Sequence, residues 1–205
     1  RGWKQSEHLI KGRKLWEHLR ETDPEFTCAK IFWWFNMYSS ADYTITPRPI
    51  YCADGKKVFD VQTAPMKLTK KLKRKIGKFP FQAFWGPMAG IDSSHWIARS
   101  AKWFEEQYSP NLNLVYLPHL DYNLQRIGPE GPHISMDLGQ IDAVVGDLIR
   151  FYENRDVKVV LLSEYGITQV DRAIHINRLF REKGWLVWRD ELRKEQLDLG
   201  SCQAF

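Results

Sequence analysis

The alternation of apolar and polar stretches is clearest between residues 111 and 167. Apolar residues run through "NLNLVYLP" and again through "VKVVLL", at 157–162. Between the two runs, six apolar residues recur at the spacing of one helical face: Ile134, Leu138, Ile141, Val145, Leu148 and Tyr152. A strand, a helix and a second strand in this order predict a βαβ unit with parallel strands. The second run is short and β-branched, which predicts a central strand buried on both faces.

The rest of the chain shows the same alternation. Apolar spacing predicts helices over 6–20, over "SSHWIARSAKWFEEQY" with Ser93 or Ser94 as its N-cap, and over 173–183. The stretches "AKIFWWFNMY" and "FPFQAF" are typical of strands. Residues 37–62 are rich in Pro, Gly, Ser and Asp, which predicts a long loop or insertion with at most short strands. Together these elements predict one α/β domain over residues 1–205.

Composition narrows the class of protein. With 43% apolar and 27% charged residues the chain is typical of globular proteins, and no apolar run is long enough to span a bilayer. The cysteines Cys28, Cys52 and Cys202 are too widely spaced for a disulfide framework or a zinc ribbon, which favours a reducing cytoplasmic location. The chain opens on Arg1 without a methionine and closes shortly after a turn, so we expect a fragment that is incomplete at both ends.

The formal charge of +5 is concentrated in one segment. Seven of the twelve residues from Lys67 to Lys78 are basic, and Leu68, Leu72 and Ile76 recur every four residues before Gly77. This pattern predicts a helix with a core-facing apolar stripe and a solvated basic face. Nucleic-acid binding through the basic face is the alternative, but no aromatic residues are interleaved with these lysines.

Two carboxylates follow the two strands of the βαβ unit. Asp121 comes just after the first strand and Glu164 just after the second, with His119 and Tyr165 beside them. The carboxyl ends of parallel strands meet at one edge of a sheet, where ligands bind in open α/β folds, so we expect these carboxylates on one edge. They suit a divalent metal or an acid–base pair. The alternative is carboxylates that cap loops and a hydrogen-bonded core histidine.

The segment "LVYLPHLDYNLQRIGPEGP", followed by "VVLLSEYGIT", resembles the alkaline phosphatase superfamily, in its type I phosphodiesterase and nucleotide pyrophosphatase branch. "FWWFNMYSSADYTITPRP", "FPFQAFWGPMAGIDSSHWIA" and "HINRLFREKGWL" are also similar to one divergent group of that branch. Asp121 and Gly128-Pro129 match the branch pattern. Gln125 stands where the pattern has a His, and Glu164-Tyr165 stand where it has Asp-His.

The resemblance implies a doubly wound α/β core with a mostly parallel sheet, helices on both faces, two divalent metals, usually zinc, and a Thr or Ser nucleophile. In this pattern the nucleophile precedes Arg1 and the last metal histidine follows Phe205, so we expect no catalytic nucleophile within the chain. Asp121 and Glu164 are the expected metal ligands, with Gln125, Tyr165 and His119 as further candidates. An amide and a phenol are poor zinc ligands, so magnesium or manganese are alternatives.

The resemblance therefore implies a metal-dependent hydrolase of a phosphodiester, phosphate ester or phosphonate-type substrate. The alternative is a pseudoenzyme that binds a phosphorylated metabolite or a partner protein without turnover. The expected partner is a small phosphorylated molecule, with neither nucleic acid nor a membrane. Four side chains are candidates for substrate contacts, each of which could instead be structural: Tyr38, Tyr43, His175 and Asn177.

Overall fold

The computed structural model of the protein describes residues 5–54, 56–191 and 193–204. It separates into two compact units, Arg1–Ile167 and Thr168–Phe205, where the sequence pattern predicts one domain. No helix in the described ranges is both long and apolar enough to cross a bilayer.

The first unit is built on a four-stranded sheet. Its strands are β1 (Cys28–Ile31), β2 (Tyr43–Tyr51), β3 (Lys57–Ala64) and β4 (Leu112–Val115), in the order β3-β2-β1-β4. Strand β1 pairs in parallel with β2 and β4, and the hairpin β2–β3 is antiparallel. The prediction of an α/β fold with a mostly parallel sheet flanked by helices is confirmed, and the architecture is consistent with an alkaline phosphatase-like fold.

The helices of the first unit cover the sheet. They are α1 (Leu15–Leu19), α2 (Leu68–Ile76), α3 (Phe81–Phe84), α4 (Ile91–Tyr108), α5 (His119–Ile127) and α6 (Ile134–Glu153). Helix α4 buries Trp96, Ile97 and Phe104 in a core with Ala29 and Ile31 of β1, and α2 and α6 join the same core. Burying such apolar side chains is the main favourable term in folding.

The opposite side of β1 faces a buried polar network. Because side chains alternate along a strand, Cys28 and Lys30 point away from the α4 core. The Lys30 ammonium lies 3.1 Å from Glu7 Oε2 and 4.8 Å from the centre of the Trp16 ring. Burial lowers the pKa of Lys30, and the hydrogen bond and charge of Glu7 partly offset this effect. The network ties the N-terminal segment to the sheet.

The second unit is small. It consists of α7 (Ile176–Glu182) and a hairpin of β5 (Trp188–Glu191) and β6 (Lys194–Leu197). The guanidinium of Arg181 binds both carboxylate oxygens of Glu195, at 2.6 and 3.0 Å, and so ties α7 to β6.

The predicted strand at 157–162 is wrong. After α6 the backbone N–H of Val157 donates to Tyr152 at 3.1 Å, and residues 158–166 then continue without strand pairing and with exposed side chains. Val160 and Leu162 are 78% and 76% exposed. An apolar run becomes a central strand only where other elements cover both of its faces. Val157 packs against the main core, but 158–162 are exposed among the described residues.

Three further predictions differ from the structure. Residues 37–62, predicted to be a loop or insertion, contain β2 and most of β3. The predicted helix over 6–20 is only a 3-10 turn at Glu7–Leu9 and the short α1, because Gly12 lies between them at φ +88° and breaks the helix. The stretch "FPFQAF" forms α3 instead of a strand. By contrast, the basic helix is confirmed as α2, and it ends at Gly77 as predicted.

Candidate functional site

Helix α5 places Asp121 at the carboxyl end of β4. The strand pairing continues one residue beyond β4, where the N–H of Tyr116 donates to Ile31 at 3.1 Å. Pro118 then caps α5, so that Asp121 falls in the first turn of the helix. A carboxylate is favoured there because the N-terminal end of a helix carries partial positive charge.

Three of the predicted site residues meet at this position. The hydroxyl of Tyr165 and the amide nitrogen of Gln125 both donate to Oδ1 of Asp121, the second bond measuring 2.9 Å. Ser163 Oγ donates to the carbonyl of Tyr165 at 2.9 Å and shapes the turn that presents the phenol. Asp121, Gln125 and Tyr165 form what we call the Asp121 cluster, and it assembles although 157–162 is not a strand.

The charges of the cluster act on two tyrosines. The hydrogen bond to Asp121 raises the pKa of Tyr165 well above its usual range, and burial and the nearby negative charges add to the shift. Burial, together with the charges of Asp121 and Glu164, raises the pKa of Tyr116 to about 12. Both phenols are therefore neutral hydrogen-bond donors at physiological pH. The sequence analysis does not single out Tyr116, although it lies in the quoted stretch "LVYLPHLD".

His119 belongs to a different, interior contact. Its side chain is buried between α5 and α6, with Nε2 3.7 Å from Oδ1 of Asp137. Burial lowers the pKa of His119 in spite of the Asp137 charge. Asp137 also accepts a hydrogen bond from Asn123. These contacts place His119 in the interior between two helices, and its role as a further metal ligand stays a prediction.

Tyr38 and Tyr43 differ in their surroundings. Tyr38 is 68% exposed and stacks on the ring of His8, with centroids 5.7 Å apart. Tyr43 stacks on Tyr108 at 4.3 Å and also contacts Phe104 of the main core. The packing of Tyr43 is that of a core-edge residue, whereas Tyr38 is free to meet a ligand.

His175 and Asn177 lie in the second unit. His175 caps α7, and both residues line an open groove next to the paired Arg181 and Glu195. They stay candidates for substrate contacts.

The donor atoms of the Asp121 cluster bear on the expected metal. In the described ranges no three His, Cys, Asp or Glu side chains group as metal ligands. Asp121, Gln125 and Tyr165, with Glu164 next to Tyr165 in the chain, offer only oxygen as a donor to a cation, and zinc sites in proteins are built mainly from nitrogen and sulfur. Carboxylate and amide oxygens suit the harder Mg²⁺ or Mn²⁺. The cluster therefore does not fit zinc, and its oxygens, together with the Glu164 carboxylate, suit a hard divalent cation.

Comparisons with known proteins bear on the whole chain. A family model described as type I phosphodiesterase / nucleotide pyrophosphatase matches residues 1–202. A protein of Schizosaccharomyces pombe, named as an uncharacterised pyrophosphatase/phosphodiesterase, is 29% identical over 90 residues. That alignment spans 40% of this chain and 19% of the yeast protein. No solved structure matches significantly.

Proposed function

Because the chain belongs to the type I phosphodiesterase / nucleotide pyrophosphatase family, we propose that it acts as a phosphoester hydrolase on a phosphodiester, phosphate ester or phosphonate-type substrate. The observation that carries the proposal is the Asp121 cluster. It brings a carboxylate and two hydrogen-bond donors to the carboxyl end of a strand in a mostly parallel sheet. Ligand sites in open α/β folds form at this edge.

The carboxylates of Asp121 and Glu164 would hold a hard divalent cation. Bound there, Mg²⁺ or Mn²⁺ would neutralise charge on the phosphoryl group of the substrate. Both hydrogen bonds to Asp121 go to Oδ1, so Oδ2 is the oxygen that stays available to a cation. Tyr165 and Gln125 thus orient the carboxylate rather than compete for its second oxygen.

Tyr116 and Tyr165 contribute two protonated hydroxyl groups to the site. Their raised pKa values keep both phenols protonated, so they donate hydrogen bonds and add no negative charge next to a phosphate. A neutral donor near a phosphoryl oxygen stabilises charge without a proton transfer. The attacking nucleophile is not assigned to any residue of this chain.

The test is hydrolysis of nitrophenyl phosphodiester and phosphomonoester substrates with Mg²⁺, Mn²⁺ or Zn²⁺. The assay uses the protein that the complete reading frame encodes. We expect hydrolysis with Mg²⁺ or Mn²⁺ and less with Zn²⁺, because the oxygen donors of the Asp121 cluster suit a hard cation.

Substitutions locate the site. Changing a residue that only orients a metal ligand costs about 10- to 100-fold, so Tyr165→Phe should reduce kcat by about 10-fold and Asp121→Ala by at least about 100-fold. Glu164→Gln should also greatly reduce turnover, whereas Asp142→Ala, at an exposed position of α6, should not. Wild-type rates in Asp121→Ala would refute the site. A folded protein without activity or bound metal would favour the pseudoenzyme.

A further inference from the structure

The positive charge of the chain is segregated on one part of the first unit. Between Arg48 and Lys78 the sequence has ten basic and two acidic residues, a net charge of +8. The whole chain carries +5, so all other residues together carry −3. This segment comprises the outer half of the β2–β3 hairpin and α2. The positive charge is therefore concentrated in this segment, although the net charge of the whole chain is only +5.

The apolar stripe of α2 is committed to the protein core. Leu68 and Leu72 are 1% and 0% exposed, and both belong to the main core cluster. The opposite face of the helix is left to its cations. Four cations of α2 are exposed, Lys70, Lys71, Arg74 and Lys75, and so are Lys67 and Lys78 just beyond its two ends. The orientation of α2 is fixed by packing, so its basic side points outward.

Two contacts show that α2 runs back along β3 toward the hairpin tip. Thr69, in the first turn of α2, lies 2.8 Å from the hydroxyl of Thr63, and the Lys73 ammonium lies 2.6 Å from Asp60. Successive residues along α2 therefore contact positions on β3 that are progressively closer to Lys57. The cations of the last helical turn and the hairpin tip consequently lie on the same side of the unit.

The hairpin tip adds exposed apolar side chains to these cations. Ile50 and Val58 face each other across the strands and are 43% and 49% exposed. Tyr51 is 56% exposed and lies under the Lys57 ammonium, 5.8 Å from ring centre to nitrogen. Met66, just before α2, is 74% exposed. We call the exposed side chains of residues 48–54, 56–60 and 66–78 together the basic surface.

We propose that the basic surface docks the protein on an anionic phospholipid bilayer. Lysine and arginine clusters are attracted to the negative surface potential of such a membrane, and neighbouring aliphatic and aromatic side chains can enter the interface. The aliphatic side chains favour lipid over nucleic acid, because Ile50, Val58 and Met66 can neither stack on a base as an aromatic ring does nor form a hydrogen bond with it. The prediction of no membrane partner rests on the lack of an apolar run long enough to span a bilayer, which does not bear on docking at its surface.

The experiment is co-sedimentation of the 205-residue chain with unilamellar vesicles. The vesicles are phosphatidylcholine alone or phosphatidylcholine with about 30% phosphatidylserine, since anionic lipid supplies the surface potential. We expect binding only to the anionic vesicles, and a steep loss of binding as salt is raised from about 0.05 to about 0.5 M, which shortens the screening length.

Two groups of variants separate charge from apolar contact. Lys70→Gln, Lys71→Gln and Lys75→Gln together should weaken vesicle binding by about 100-fold, given the typical contribution of each cation near an anionic surface. Glutamine keeps a similar helix propensity. Ile50→Ser with Val58→Ser should weaken binding by about tenfold or more and leave its salt dependence unchanged. The control removes three exposed cations elsewhere, by Lys11→Gln, Lys158→Gln and Lys183→Gln.

Three results would overturn the proposal. They are absence of binding to anionic vesicles at low salt, an equal loss of binding in the control triple variant, and tighter binding to a random-sequence DNA duplex than to vesicles under the same conditions. Thermal unfolding of every variant checks that it is folded. The proposal does not rest on hydrolase activity, so either can fail without the other.

Discussion

The phenol of Tyr165 donates a hydrogen bond to the carboxylate of Asp121, a residue 44 positions earlier in the chain. This contact joins the exposed segment after α6 to the first turn of α5. Gln125, one helical turn after Asp121, donates to the same carboxylate oxygen at 2.9 Å. One oxygen of Asp121, Oδ1, is therefore held by two donors from different parts of the first unit.

The first prediction concerns the metal preference of the cluster. Replacing Gln125→His and Tyr165→His together places two imidazoles next to Asp121, a ligand set that zinc prefers over one of oxygens alone. We expect the double variant to retain zinc through gel filtration and the unsubstituted chain to lose it. Zinc content is measured on the eluted protein.

A matched variant controls for adventitious binding by introduced histidines. Gln169→His with Tyr51→His makes the same exchanges at two exposed positions that are not part of the Asp121 cluster, and it should not retain zinc. If the unsubstituted chain itself retained zinc, the assignment of a hard-cation site would be wrong.

The second prediction separates Tyr43 from Tyr38. Tyr43 packs on Tyr108 and Phe104, so Tyr43→Ala should lower the free energy of unfolding by about 2 kcal/mol through lost packing. Tyr38 is exposed, so Tyr38→Ala should change it by less than about 0.5 kcal/mol. Urea unfolding followed by fluorescence gives both values. Equal effects of the two substitutions would contradict this packing.

The third prediction concerns pH and the buried Glu7. Burial raises the pKa of Glu7, but hydrogen bonds from Ser39, Ser40 and Lys30 outweigh it and bring the pKa below its ordinary value of 4.5. A lowered pKa means that the folded state favours the carboxylate. The stabilisation is therefore present above the ordinary pKa and is lost as the pH falls through the folded-state value.

The measurement compares Glu7→Gln with the unsubstituted chain. At pH 7 the substitution leaves Lys30 buried without its counter-charge, and should lower the free energy of unfolding by about 3 kcal/mol. The difference between the two proteins should shrink as the pH falls through the lowered pKa of Glu7, where the folded protein takes up a proton on this carboxylate. Glu25→Gln, at an exposed position, should show neither effect. A difference that does not vary with pH would exclude the ion pair as the cause.

The sequence predicts those elements of the fold in which buried residues recur at a regular spacing within one segment. Helix α2 follows from Leu68, Leu72 and Gly77, and α6 follows from its apolar stripe. The run 157–162 has the composition of a buried strand, but whether it is one depends on elements that cover it, which composition does not encode. The two prolines of β2 predict a loop, because proline cannot donate to a strand ladder. In the structure both prolines are buried within the strand.

The candidate site was predicted in part. Asp121, Gln125 and Tyr165 were named from the resemblance and from the ends of strands, and the structure brings these three together. The sequence places His119 two residues before Asp121. Residues two positions apart in a helix point to different sides, and the His119 side chain contacts Asp137 instead. The tertiary fold brings Tyr116 under the influence of the Asp121 and Glu164 charges, and no local sequence pattern indicates this.

The position of β1 in the centre of the sheet has a consequence for how the protein is made. Its neighbour β4 arrives late, since Thr27, next to β1, hydrogen-bonds to Asn111, 84 residues further along the chain. A ribosome adding about 5–20 residues per second needs roughly 4–17 seconds to produce that stretch. Until then the nascent chain can pair β1 only with β2, and the other edge of β1 presents unpaired peptide groups. Translation speed between residues 28 and 112 therefore sets how long this edge of β1 stays unpaired.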